Sequence, residues 1–95
     1  MTTSPSPTPE RLASLITELC EARGVGKTIC PSEVARAAVR QEDGTDGTWR
    51  PLMGAVRREA VRLAKDQRIA IYRKGKPLAD PEGVKGVIRL GLPPT

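Results

Sequence analysis

The stretch from Trp49 to Asp66 carries the longest regular pattern in the chain, and it constrains the fold more than any other. Trp49, Leu52, Met53, Val56, Ala60, Leu63 and Ala64 recur at helical spacing, which places them on one side of a rod. The period then drops to two. Ile69 and Ile71 alternate with Ala70 and Tyr72, which predicts a strand. Arg73-Lys74-Gly75-Lys76-Pro77 predicts a turn, residues 78–86 a loop, and Val87 to Leu90 a second strand with Ile88 and Leu90 on one side. The economical reading is a hairpin with a long basic connection.

Upstream, Leu12, Leu15, Ile16, Leu19 and Cys20 mark a helix face between Glu10 and Arg23. Glu10 suits the positive end of its dipole, and Gly24 supplies the stop. Gly24-Val25-Gly26-Lys27-Thr28 superficially suggests a phosphate loop, but Glu21 stands where that loop needs its first glycine. The loop also needs a strand before it and a helix after it, whereas a helix precedes this one and the short extended segment Thr28 to Cys30 follows. A turn is expected instead. A second helix is expected from Pro31 to about Arg40, with Val34, Ala35, Ala38 and Val39 inward. Pro31 is tolerated at the first helical position. Glu33 can reach back to the backbone N–H of Cys30, half of a capping box. Residues 41–48 read as a polar, glycine-rich loop, Thr48 as a cap for the third helix, and Pro51 as part of its first turn.

The order is helix, short strand, two helices, strand, basic wing, strand. That is the order of an α+β winged helix-turn-helix: three helices and a small three-stranded antiparallel sheet. It occupies residues 10–92, between a Pro/Ser/Thr tail over 1–9, expected to be extended and disordered, and a short tail over 93–95. At 95 residues the chain has room for one modest core. With Trp49 and Tyr72 its only aromatics, that core must be aliphatic. Base-stacking platforms for single-stranded nucleic acid need several aromatic faces, so that class is disfavoured.

Sixteen Lys and Arg against eleven Asp and Glu give a net charge of +5, which makes polyanions the first partners to consider. The placement of the cations sharpens this. On the third helix, Arg57, Arg58, Arg62 and Lys65 lie away from the apolar stripe, and Arg73, Lys74 and Lys76 sit on the wing. In a winged helix the third helix enters the major groove, where arginine pairs with phosphates or guanine edges. These seven residues are the candidate contacts to duplex DNA. The alternative is a protein-interaction module whose basic surface docks an acidic partner. Glu42, Asp43 and Asp46, just ahead of the third helix, would repel phosphates and motivate that reading. Exposed helix faces are also often arginine-rich for solubility alone, with Glu59 and Asp66 at hand for local pairing. Winged helices often pair, which leaves a homodimer open.

No histidine is present, which removes His-assisted catalysis and every zinc site that uses imidazole. Cys20 lies on the apolar stripe of the first helix and reads as core. Cys30, where the second helix starts, is the single candidate for a reactive thiol, because a helix dipole favours thiolate. The seam between helix and sheet is expected to bury it. No enzymatic activity, metal or cofactor is expected. The N-terminus lacks the basic start and apolar run of a leader, and no segment is long and apolar enough for a membrane span. The expectation is a cytoplasmic protein with reduced thiols and no membrane partner.

The blocks KTICPSEVAR (Lys27 to Arg36), WRPLMGAVRREAVRLA (Trp49 to Ala64) and KGVIRL (Lys85 to Leu90) together resemble a small bacterial family of uncharacterised winged-helix proteins. The resemblance covers residues 10–92. Thr28 to Arg36, Trp49, Arg50, Met53, Arg57 and Gly86 to Leu90 match its pattern. It implies the winged-helix fold and no established activity. Two departures stand out. Val87 occupies a position usually held by proline, and Asp66-Gln67 ends the third helix where a glycine is common. Arg36 is expected to pair with the loop acids and pin the connection, with Arg50 open between that role and DNA.

Overall fold

The computed structural model describes residues 8–43, 49–81 and 86–93. The first helix, α1 (Pro9–Arg23), starts where Thr8 can cap it: its hydroxyl accepts from the Arg11 N–H at 3.1 Å. Pro9 fits because the first helical N–H needs no partner. Gly24, at φ 99°, ends the helix and donates its N–H to the Cys20 carbonyl at 3.0 Å. Strand β1 (Thr28–Ile29) follows, then α2 (Pro31–Asp43). The second helix therefore runs past Arg40 into the Gln-Glu-Asp segment read from sequence as loop. Those polar residues offer no apolar marker by which periodicity could extend the helix. The remaining loop residues 44–48, with Asp46 and the Thr48 cap, lie outside the described residues, as do residues 1–7.

A single 3-10 turn, Arg50–Leu52, leads into α3 (Met53–Lys65) with Pro51 in its first positions. The expected helix start at Trp49 is thus replaced by a tighter turn, headed by Trp49 with no side-chain cap. The far end of α3 closes without glycine. Gln67 adopts φ 62°, its N–H bonds to the Ala64 carbonyl at 3.0 Å, and the Arg68 N–H bonds to the Leu63 carbonyl at 2.9 Å. These are the paired bonds of a Schellman motif, with a β-carbon held in the left-handed region. Gln67→Gly is therefore expected to raise stability by about 0.5–1 kcal/mol. A urea titration followed by circular dichroism checks this, with an unchanged slope.

Strand β2 (Ala70–Arg73), β3 (Lys76–Pro77) and β4 (Arg89–Gly91) complete a four-stranded antiparallel sheet in the order β1-β4-β2-β3. The expected sheet had three strands. The fourth arises because Arg73 to Pro77 is a tight hairpin, not a plain turn: Lys74 and Gly75 take φ 53° and 81°, the left-handed pair of a type I′ turn. Ile29, Leu90 and Ile71 lie side by side on the inner face. They close a core with Leu12, Leu15, Ile16, Val34, Val56, Ala60 and Leu63. All three helices pack on one another, α1 also against β1 and β4, and α3 against β2. The resulting α+β arrangement is compatible with a winged helix.

Candidate nucleic-acid interface

Helix α3 buries Val56, Ala60 and Leu63, so at about 3.6 residues per turn its opposite side holds Gly54, Arg58, Val61 and Lys65. Gly54, Arg58 and Lys65 are exposed and Val61 is half-buried. An open groove of about 340 Å³ runs along this side, lined by Arg58, Val61, Arg62 and Lys65 with Asp66 at its end. Arg58 and Lys65 thus present charge to solvent, as the helical wheel anticipates.

The other two candidate arginines of α3 are diverted to either flank. Arg57 is half-buried and donates Nη1 to the Gly86 carbonyl at 3.1 Å. The guanidinium of Arg73, on β2, approaches the same residue: a β-carbon built on Gly86 would lie 3.6 Å from Arg73 Nη2. Helix and hairpin therefore meet at Gly86, which sits at φ 84°. On the opposite flank Arg62 donates Nε and Nη2 to Glu59 Oε1, at 3.0 and 2.6 Å. That bond, with the charge of Glu59 behind it, holds the Arg62 guanidinium above its already high ordinary pKa. Of the seven candidates, Arg58 and Lys65 lie on the outer side of α3. Arg73, Lys74 and Lys76 lie exposed on the hairpin. Arg57 ties the two together, and Arg62 is committed to a carboxylate. Its pairing with Glu59 follows from i,i+3 spacing and was legible in the sequence.

Two cation clusters fall outside those seven. Trp49 carries the guanidinium carbons of both Arg36 and Arg50, 4.7 and 4.8 Å from its ring centroid, within reach of cation–π attraction. The acids Glu42, Asp43 and Asp46, expected to hold Arg36, have side chains outside the described residues. The hint available in sequence was Trp49 beside Arg50. Nothing in sequence spacing brings Arg36 to the same ring. On the sheet, Arg89 donates Nε to the Thr28 hydroxyl at 3.0 Å and Nη2 to the Thr28 carbonyl at 3.2 Å. Arg23 donates to that carbonyl at 3.1 Å. These two secure β1 between α1 and β4, and sequence spacing gives no sign of so distant a convergence.

Glu33 completes the expected half of the capping box: its Oε2 accepts the Cys30 N–H at 2.9 Å, while Oε1 accepts from Arg23 at 2.8 Å. The Cys30 sulfur is half-buried, not sealed in the seam as expected, and accepts the Ser32 hydroxyl at 3.1 Å. Cys30 lies between β1 and α2, outside the paired residues of the sheet. Cys20 is buried in the core. Burial first, and the charge of Glu21 second, push its thiol up from an ordinary 9.0 to about 11. A raised folded value favours the neutral thiol. Its contribution to stability is present below about pH 9 and is lost as pH rises toward 11. In a Cys30→Ser variant at about pH 8, a thiol reagent should modify nothing until denaturant opens the fold; uptake by the native protein would contradict this placement.

Among the described residues, no group of three or more His, Cys, Asp or Glu could hold a metal ion, and no helix is long and apolar enough to cross a membrane. Three packed helices and a small antiparallel sheet place the chain among α+β domains compatible with the winged-helix plan. The chain belongs to the family described as protein of unknown function DUF3253, which it matches over residues 9–93. No curated protein matches it.

Proposed function

We propose that the protein is a winged-helix DNA-binding domain, with α3 in the major groove and the β2–β3 hairpin against the flanking backbone. The observation that carries this reading is the junction at Gly86. Arg57 bonds to its carbonyl and the Arg73 guanidinium lies against it, which supports reading the cations of helix and hairpin as one surface. An extended cationic surface of this kind suits a ligand with regularly spaced negative charge, and phosphate contacts dominate duplex affinity. Arg58 stands in the middle of the helix face, where guanidinium groups reach base edges. The hairpin supplies Lys74 and Lys76 as point charges for phosphates.

The test is fluorescence anisotropy of a labelled random-sequence duplex at low salt, competed by unlabelled duplex and by poly-glutamate. Displacement by duplex at far lower charge equivalents than poly-glutamate supports DNA. Preferential displacement by poly-glutamate, or no duplex binding, overturns the reading in favour of an acidic protein partner.

A further inference from the structure

Arg36 and Arg50 come from different elements, α2 and the turn ahead of α3, yet both stand over one indole. Their guanidinium carbons lie 4.7 and 4.8 Å from the Trp49 ring centroid, so the two groups can stand no more than twice that distance apart. Trp49 is half-buried against the core, whereas both arginines are exposed. The ring is a fixed platform that carries two cations at the surface.

Contact with an aromatic face uses the charge and the flat side of a guanidinium and none of its N–H groups. That sets this pair apart. Arg23, Arg57, Arg62 and Arg89 each donate to a carbonyl, hydroxyl or carboxylate of the chain. Among the described residues, nothing accepts an N–H from Arg36 or Arg50. Glu42 and Asp43 share α2 with Arg36 but stand about 9–10 Å farther along its axis, with Arg40 between. Two forks held close together with their donors unspent suit an anion with two equivalent oxygens. Neighbouring like charges also gain from an anion set between them. Restraining both side chains beforehand lowers the ordering cost of that contact.

Resting on the DNA-binding reading above, we infer that Arg36 and Arg50, held by Trp49, clamp one phosphodiester of the duplex beside the turn that leads into α3. The two guanidinium groups touch the phosphate, and Trp49 is a positioning residue. The clamp draws α2 into an interface otherwise made by α3 and the hairpin.

The experiment is anisotropy on a random duplex over a range of salt, for wild type, Arg36→Gln/Arg50→Gln, Trp49→Leu and Trp49→Tyr. Circular dichroism confirms that each is folded. Losing one phosphate contact should reduce the magnitude of the log–log salt slope of the arginine variant by about one, with about tenfold lower affinity near 0.1 M salt. Trp49→Leu keeps both charges but not their platform, so affinity should fall by about tenfold with the slope near that of wild type. Trp49→Tyr restores an aromatic face and should recover most of the loss. In wild type, emission from Trp49, the sole tryptophan, should change as the duplex saturates. If the arginine variant keeps the wild-type slope and affinity while Arg58→Glu/Lys65→Glu loses binding, the inference falls and the general reading stands. A carboxylate from residues 44–48 that neutralised the pair within the chain would give that result. A Trp49→Leu protein that binds as wild type also overturns the inference. If wild type binds no duplex at low salt, both readings fall.

Discussion

Arg58→Glu with Lys65→Glu is expected to weaken duplex binding by at least about a hundredfold near 0.1 M salt, without unfolding the domain. Both residues are exposed on the outer side of α3 and line its open groove. Each phosphate contact that releases a counterion contributes about one decade of affinity at that salt. Two lost contacts account for the hundredfold, and the two introduced carboxylates add repulsion. Glutamate is a good helix former, and the less favourable charge near the C-terminus of α3 costs about 0.3–1 kcal/mol. The informative comparison is Arg62→Gln. That side chain already spends two N–H groups on Glu59, so its loss should change affinity by no more than about threefold. Anisotropy on the same duplex, with far-ultraviolet circular dichroism as the folding control, decides the matter. Equal losses from the double variant and from Arg62→Gln would mean that the outward side of α3 has been misassigned.

The largest effect on stability is expected at Gly91. It sits inside β4, paired with Thr28 of β1 on one side and Ala70 of β2 on the other. A β-carbon there would stand 2.8 Å from the Lys27 carbonyl oxygen and 3.2 Å from both Thr28 Cγ2 and Tyr72 Cε1. The Tyr72 ring cannot swing clear cheaply, because its hydroxyl donates to the Leu92 carbonyl at 2.8 Å. The Lys27 oxygen is backbone, next to a paired strand. Overpacking of this kind costs about 1–3 kcal/mol. In a domain of this size each kcal/mol shifts Tm by about 4–8 °C, so Gly91→Ala should melt roughly 5–20 °C below wild type. Gly54→Ala, which meets only an ordinary contact, should not fall at all. A thermal melt of both variants checks the contrast, and a Gly91→Ala melt within about 2 °C of wild type would contradict it.

Both expectations show which parts of the molecule sequence patterns disclose. The core stripes of α1 and α3 were legible because apolar residues recur at helical spacing, and Ile71 and Leu90 because each follows an isoleucine, Ile69 and Ile88, at the period of two that marks one face of a strand. The strand β3 was not, since a lysine in the left-handed region at Lys74 hides a hairpin that Asn-Gly would have announced. The end of α3 was obscured in the same way by Gln67. In the site, the wheel placed Arg58 and Lys65 outward because that depends on one helix alone. The tie from Arg57 to Gly86 spans 29 positions, and the meeting of Arg36 with Trp49 joins α2 to the turn that leads into α3. Contacts of that range are set by how elements pack, which local periodicity does not encode.

Arg58 and Lys65 on the helix, with Arg73, Lys74 and Lys76 on the hairpin, make about five phosphates the expected footprint, and each should leave its mark on salt dependence. The decisive measurement is the slope of log affinity against log salt for the wild-type protein on random duplex. The account predicts roughly −4 to −5. Undetectable binding at low salt, or an affinity that stays level as salt rises, would contradict it.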